Sequence, residues 1–166
     1  ALIHTAEEHG YEMRVLKAVE EVNRRQKTVL YEKLAKYFHN QLADKTVALW
    51  GLSFKAETDD MREATSLVVM RLLLDNGCKV RVFDPQAMDE CRRRMGEELY
   101  YAKDIYDASD GADAILVLTE WTQFRMPDWD RLASCMKHLL VVDGRNLYIT
   151  EDVERHGFKY MSIGRK

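Results

Sequence analysis

Two regimes of apolar spacing divide the chain. From about Tyr11 to Ala43 there is neither Pro nor Gly. Over that stretch Val15, Val19, Val22, Leu30, Leu34, Phe38 and Leu42 recur at three, four or a multiple, which lays them on one face of a long helix. A shorter helix over 1–8 should stop at Gly10. Gln26 falls on the stripe where Leu or Val is expected, and Asn23 borders it. Such amides either hydrogen-bond across a helix pair and set its register, or meet a ligand or a second subunit.

Beyond Lys45, short β-rich runs alternate with amphipathic stretches, the pattern of βα units and a mainly parallel sheet. The spacing predicts strands at 46–51, 79–83, 99–102, 113–118, 139–142 and 158–163. It predicts helices at 63–76, 85–95, 104–109, 128–136 and 150–155, with Gly77 and Gly157 as stops and Pro85 in a first turn. The expected fold is α/β: a Rossmann-like parallel sheet flanked by helices and preceded by a long α-helix. Two parts follow, a helical linker and dimerisation segment over 1–44 and a Rossmann-like domain over 45–166. The helical stripe exceeds what one domain of this size can cover, which implies a homodimer through the long helix.

Composition narrows the class. The chain has 166 residues, 46% of them hydrophobic and 32% charged, with 2 Pro and 8 Gly, so it should be ordered rather than low-complexity. A net charge of −3 without a basic face argues against nucleic acid as partner. No apolar run approaches the ~20 residues of a bilayer span, and the amino end lacks a greasy signal core, so a cytoplasmic protein without membrane association is expected. Cys78, Cys91 and Cys135 form no CxxC pair, and the five histidines make no HxxxH pair. Buried reduced thiols and the absence of a metal site are the corresponding expectations.

In an open parallel sheet ligands bind past the carboxyl ends of the strands. After the first strand comes GLSFKAETDDMREATS, Gly51 to Ser66, which opens like a dinucleotide loop but lacks the later glycines of GxGxxG. Side chains such as Lys55 and Arg62 would then have to supply the positive charge for a phosphate, offset in the empty site by Asp59, Asp60 and Glu63. Asp59 or Asp60 could instead cap the following helix. Asp84 of VFDP sits where an acid would meet a ribose, and equally where an ordinary turn would place one. Arg145 of VVDGRN follows a hydrophobic strand and a glycine turn, so it faces the same crevice as Lys55 if both strands run parallel near the centre. There is no GxSxG elbow, no P-loop and no self-sufficient catalytic constellation.

The strings GLSFKAETDDMREA, VFDP, LVLTEWTQFRMPDW and VVDGRNLY, in that order, resemble the carboxyl-terminal part of the nucleotide-sugar dehydrogenases, the UDP-glucose/GDP-mannose dehydrogenase family. GYEMRVLKAVEEVNRRQ is similar to that family's long central helix, and LTEWTQFR and DGRNLY favour its UDP-glucose 6-dehydrogenase branch. The resemblance implies oxidation of UDP-glucose to UDP-glucuronate in two NAD-dependent steps through a cysteine-linked thiohemiacetal, with residues 45–166 as the UDP-sugar-binding domain. It implies that Phe54, Lys55 and Arg145 meet the substrate and that Arg62 reaches NAD held mainly by a separate amino-terminal domain. The GxGxxG domain and the family's cysteine-bearing GGSCFPKD loop are absent from this sequence, and none of its cysteines stands in their context. This chain alone is therefore expected to bind without turning over, with no catalytic residue of its own.

Overall fold

The structure, a computed structural model, describes residues 14–164, so the expected helix at 1–8 lies outside the described residues. The elements are α1 (Arg14–Gln26), α2 (Val29–Tyr37), β1 (Thr46–Trp50), α3 (Thr65–Asp75), β2 (Lys79–Phe83), α4 (Met88–Met95), β3 (Tyr100–Tyr101) and α5 (Ile105–Ser109). They continue as β4 (Ala114–Val117), a 3₁₀ turn at Thr122–Phe124, α6 (Trp129–Cys135), β5 (Leu140–Asp143), α7 (Thr150–Glu154) and β6 (Lys159–Ser162). The six strands form one parallel sheet in the order β3-β2-β1-β4-β5-β6.

β4 and β5 are buried along their whole length and β1 along all but its first residue, because helices cover both faces of the sheet. Alternation sorts their side chains into two cores. Val47, Leu49, Leu116, Leu140 and Val142 pack with Leu30, Leu34, Met70, Leu73 and Cys91 of α2, α3 and α4. Ala48, Trp50, Ile115, Val117 and Val141 pack with Ile105, Ala108, Leu132 and Val153 of α5, α6 and α7. Asp104 and Asp128 cap α5 and α6, accepting from the amides of Asp107 at 2.7 Å and Arg131 at 3.0 Å.

The long helix is interrupted at Lys27 and Thr28. The Thr28 hydroxyl and amide both donate to the Arg25 carbonyl, at 2.8 and 3.1 Å, and so occupy an acceptor that a regular ladder would leave to Val29. Its second half ends at Tyr37 rather than Ala43, in a Schellman-type turn. His39 and Asn40 there have φ of 52° and 59°, and the Asn40 amide donates to the Ala35 carbonyl at 2.7 Å. α2 contributes Leu30, Leu34 and Ala35 to the core, whereas α1 buries nothing and leaves Val15, Val19 and Val22 exposed.

Two other helices start later than expected. Glu63 has a φ of 58°, which no α-helix accommodates, so α3 begins at Thr65. Pro85 stays in a turn held by Asp84, and α4 begins at Met88. No helix among the described residues is long and apolar enough to cross a membrane.

Candidate functional site

All strand carboxyl ends lie along one edge, and the chain reverses its progress across the sheet between β1 and β4. That is the switch point at which open α/β sheets take ligands. The loop after β1 begins at Gly51, whose φ is 89° and whose amide donates to the Phe83 carbonyl at 2.9 Å. A Cβ there would stand 2.5 Å from that of Thr119, so only glycine lets β1 and the end of β4 approach. Thr119 in turn donates its hydroxyl to the Ser53 carbonyl at 3.0 Å, and the Ser66 hydroxyl donates to the Leu52 carbonyl.

Asp84, 1% exposed, anchors this loop. Its Oδ2 accepts from the amides of Leu52 at 2.7 Å and Ser53 at 3.3 Å and from the Trp121 indole at 3.2 Å. Its Oδ1 accepts from the amides of Gln86 and Ala87, both at 2.8 Å. Both oxygens are thus engaged by the fold, which selects the turn role over contact with a ribose.

The projecting segment 54–60 is closed by the Phe54 amide on the Asp60 carbonyl at 2.9 Å. The Phe54 ring is half-exposed, and the Lys55 ammonium lies 5.2 Å from its centroid. Two of the loop's acids, Asp60 and Glu63, are committed elsewhere, whereas Glu57 and Asp59 have no ion pair among the described residues. Asp60 takes Nε and Nη2 of Arg62 at 3.0, 3.1 and 2.7 Å, and this side-chain bonding holds its carboxyl at about 2, below the usual carboxylate range. It therefore does not cap α3, whose Ala64 cap has no side-chain bond. Glu63 pairs with Lys27 at 3.0 Å, which lowers its carboxyl as well. Lys55 is left with no ion pair among the described residues.

The loop after β5 is built by a second buried carboxylate, Asp143, fully enclosed. Its Oδ1 accepts the Arg145 amide at 2.8 Å, and its Oδ2 accepts the Leu147 amide at 2.7 Å and the Tyr160 hydroxyl at 2.9 Å. Gly144 lies against Leu30 of α2, where a Cβ would meet Leu30 Cδ1 at 2.6 Å and the Val117 carbonyl at 2.9 Å. Arg145 Nε donates to Glu120 Oε2, while its two Nη groups have no partner among the described residues.

Arg145 borders a cleft of about 250 Å³ together with Gln26, Leu30, Thr65, Leu118 and Asn146. Gln26 borders both this cleft and the wider groove that Asn23 lines beside Lys17, Arg24 and Glu63. The cleft is smaller than the ~300–1,000 Å³ that usually encloses a whole ligand. Phe54 and Lys55 do not line it; they stand on the same sheet edge two strands away, on the β1 loop. Arg62 points its charge into Asp60 and is largely exposed.

The thiols offer no nucleophile. Burial pushes Cys91 up to about 12 and Cys78 up to about 11, and Cys135 is raised for the same reason, whereas an attacking cysteine needs a lowered value. Sequence reasoning passed over Glu120 and Asp143. The available signal was an acid closing each strand run, in LTEW and VVDG, just before the turn. The arrangement can bind an anion at an edge furnished with an exposed aromatic ring, an unpaired ammonium and an arginine with two free donors.

Comparison with known proteins agrees with this fold. Residues 48–150 match the UDP binding domain of the UDP-glucose/GDP-mannose dehydrogenase family. A UDP-glucose 6-dehydrogenase of Pseudomonas aeruginosa is 45% identical over 99% of this chain and 38% of its own length; one from Rhizobium meliloti is 39% identical over the same shares. The solved UDP-glucose dehydrogenase of the archaeon Pyrobaculum islandicum superposes with a TM-score of 0.80 at 31% identity, over 97% of this chain and 34% of that one. This chain thus spans little more than a third of these relatives.

Proposed function

Since this chain belongs to the UDP-glucose/GDP-mannose dehydrogenase family, within which it matches the UDP binding domain, we propose that it binds UDP-glucose and UDP-glucuronate as part of an NAD-dependent UDP-glucose 6-dehydrogenase in the cytoplasm. Arg145 receives the diphosphate, Lys55 adds a second positive charge, and Phe54 offers its exposed ring to the base or sugar. Residues 45–166 act as the UDP-sugar domain, and 1–44 as the linker and dimerisation segment.

The observation that carries this proposal is Arg145 itself. A buried carboxylate fixes its backbone, a glycine turn brings it to the carboxyl edge, and its two Nη groups are free to meet an anion. Guanidinium groups presented in this way suit the paired oxygens of a phosphate.

NAD, when bound, supplies the hydride acceptor for alcohol oxidation. Among the candidate residues only Arg62 is assigned toward it: its guanidinium is exposed and can exchange Asp60 for an external phosphate. None of this chain's cysteines suits the role of carrying the substrate through two successive oxidations, since burial raises each thiol. The chain by itself binds without turnover.

Side-by-side calorimetric titration with UDP-glucose, GDP-mannose and UDP-N-acetylmannosamine tests the assignment. Tightest binding of UDP-glucose is expected. Preference for another nucleotide sugar would move the chain to a different branch of the family, and reduction of NAD on adding UDP-glucose to the purified chain would overturn the assignment of catalysis to residues outside it.

A further inference from the structure

We infer that Glu120 is a positioning residue for the anion site, holding Arg145 by its Nε so that the two Nη donors face the ligand as a pair. Arg145 has three nitrogens to place. Glu120, at the end of β4, accepts from Nε alone and leaves both Nη groups without a partner among the described residues. Asp60, by contrast, engages Arg62 through Nε and Nη2 together; the Nε-only contact recurs between Arg94 and Glu90 on the exposed face of α4, so what sets Glu120 apart is its place at the carboxyl edge of the sheet. The Arg62 pair therefore takes up one outer nitrogen, whereas the Arg145 pair leaves both open.

The surroundings favour the same role. Arg145 follows a turn whose backbone is set by Asp143, and Glu120 follows Thr119, whose hydroxyl is bonded to Ser53 of the β1 loop. Acceptor and guanidinium thus stem from adjacent parallel strands, β4 and β5, at the switch-point edge. A long flexible arginine tethered at its root and at Nε has few orientations left to lose when an anion arrives. The negative charge of Glu120 opposes an incoming phosphate, so its orienting and electrostatic effects have opposite signs and can be separated.

The inference rests on Arg145 being the diphosphate ligand proposed above. The test is calorimetric titration of UDP into the 166-residue chain and its Glu120→Gln, Glu120→Ala and Arg145→Ala forms, with the two Glu120 changes repeated in the Arg145→Ala background. Glu120→Gln keeps an oxygen acceptor for Nε and loses the charge, so it should bind UDP as tightly as the parent or more so. Glu120→Ala loses both and should bind about fivefold or more weakly than Glu120→Gln. With Arg145 removed, that gap should close.

Equal affinities of the Gln and Ala forms would overturn the positioning role, as would a gap that persists without Arg145. Glu120 is about one-third exposed, so truncation opens no buried cavity. Glu120→Ser provides a second truncation and should behave as Ala does. Should Arg145→Ala bind UDP like the parent, or the parent fail to bind it, the diphosphate assignment falls and the role of Glu120 with it. A weakened Arg145→Ala without a Gln–Ala gap removes only the inference.

Discussion

Asp84 Oδ2 accepts the backbone amide of Leu52 at 2.7 Å, joining the end of β2 to the loop after β1 across 32 residues of chain. The same carboxylate serves five other donors, three of them backbone amides. Asp84→Ala leaves these buried donors without an acceptor, and a loss on the order of 3 kcal/mol or more is expected. Asp84→Asn turns an amide toward donors that need an oxygen and should also be destabilising. Urea denaturation measures both, and a loss of less than about 1 kcal/mol would show that water replaces the carboxylate.

Lys55→Ala and Arg145→Ala each remove one cation that the β1 and β5 loops bring to the carboxyl edge. Each is expected to weaken UDP by about 10- to 100-fold, the effect of losing a charge-assisted contact. Arg62→Ala should leave UDP affinity within about twofold, because its guanidinium is engaged with Asp60. Calorimetric titration of the three variants distinguishes them, and equal losses in all three would count against the division of roles.

The Asp60 carboxyl, held at about 2 chiefly by its side-chain bond to Arg62, should titrate well below the ordinary value of 3.8. A folded-state value lowered in this way means that the pair's contribution is present above about pH 4 and fades as pH falls toward 2. Carboxyl-carbon NMR should give a midpoint near 2 in the parent chain and a higher one in Arg62→Ala, still below 3.8 because the amide of residue 62 continues to donate to Asp60. An unchanged midpoint would mean that Arg62 does not hold Asp60 in solution.

Val15, Val19 and Val22 lie exposed along α1, at 77%, 49% and 63%. If this stripe joins two copies, Val19→Glu or Val22→Glu should shift sedimentation from dimer to monomer without loss of UDP binding. A parent chain that is already monomeric at high concentration would remove the homodimer from the proposal.

Much of the sheet was legible because its information is local. Unbroken apolar runs mark β1, β4 and β5, and the expected bounds of β2 are those observed. The helix break at Thr28 and the stop at His39 and Asn40 were not legible, since neither involves Pro or Gly. They depend on a hydroxyl competing for a carbonyl and on non-glycine residues adopting positive φ.

In the candidate site, Lys55 and Arg145 could be nominated because a cation after a strand stands out against the expected polarity of a loop. Glu120 and Asp143 could not, because an acid at a strand end looks like any turn residue. Their partners, Arg145 and Tyr160, become neighbours only once β4, β5 and β6 are aligned. The ambiguity at Asp84 was resolved in the same way, by donors that arrive from three separate loops.

Leu30 rests on the bare α-carbon of Gly144, one residue before Arg145. Helix α2 and the arginine turn consequently behave as one mechanical piece: the leucine methyls act as a stop against which the turn is seated, and neither can tilt without carrying the other. Whatever steadies the helical segment therefore also steadies the arginine seated beside it.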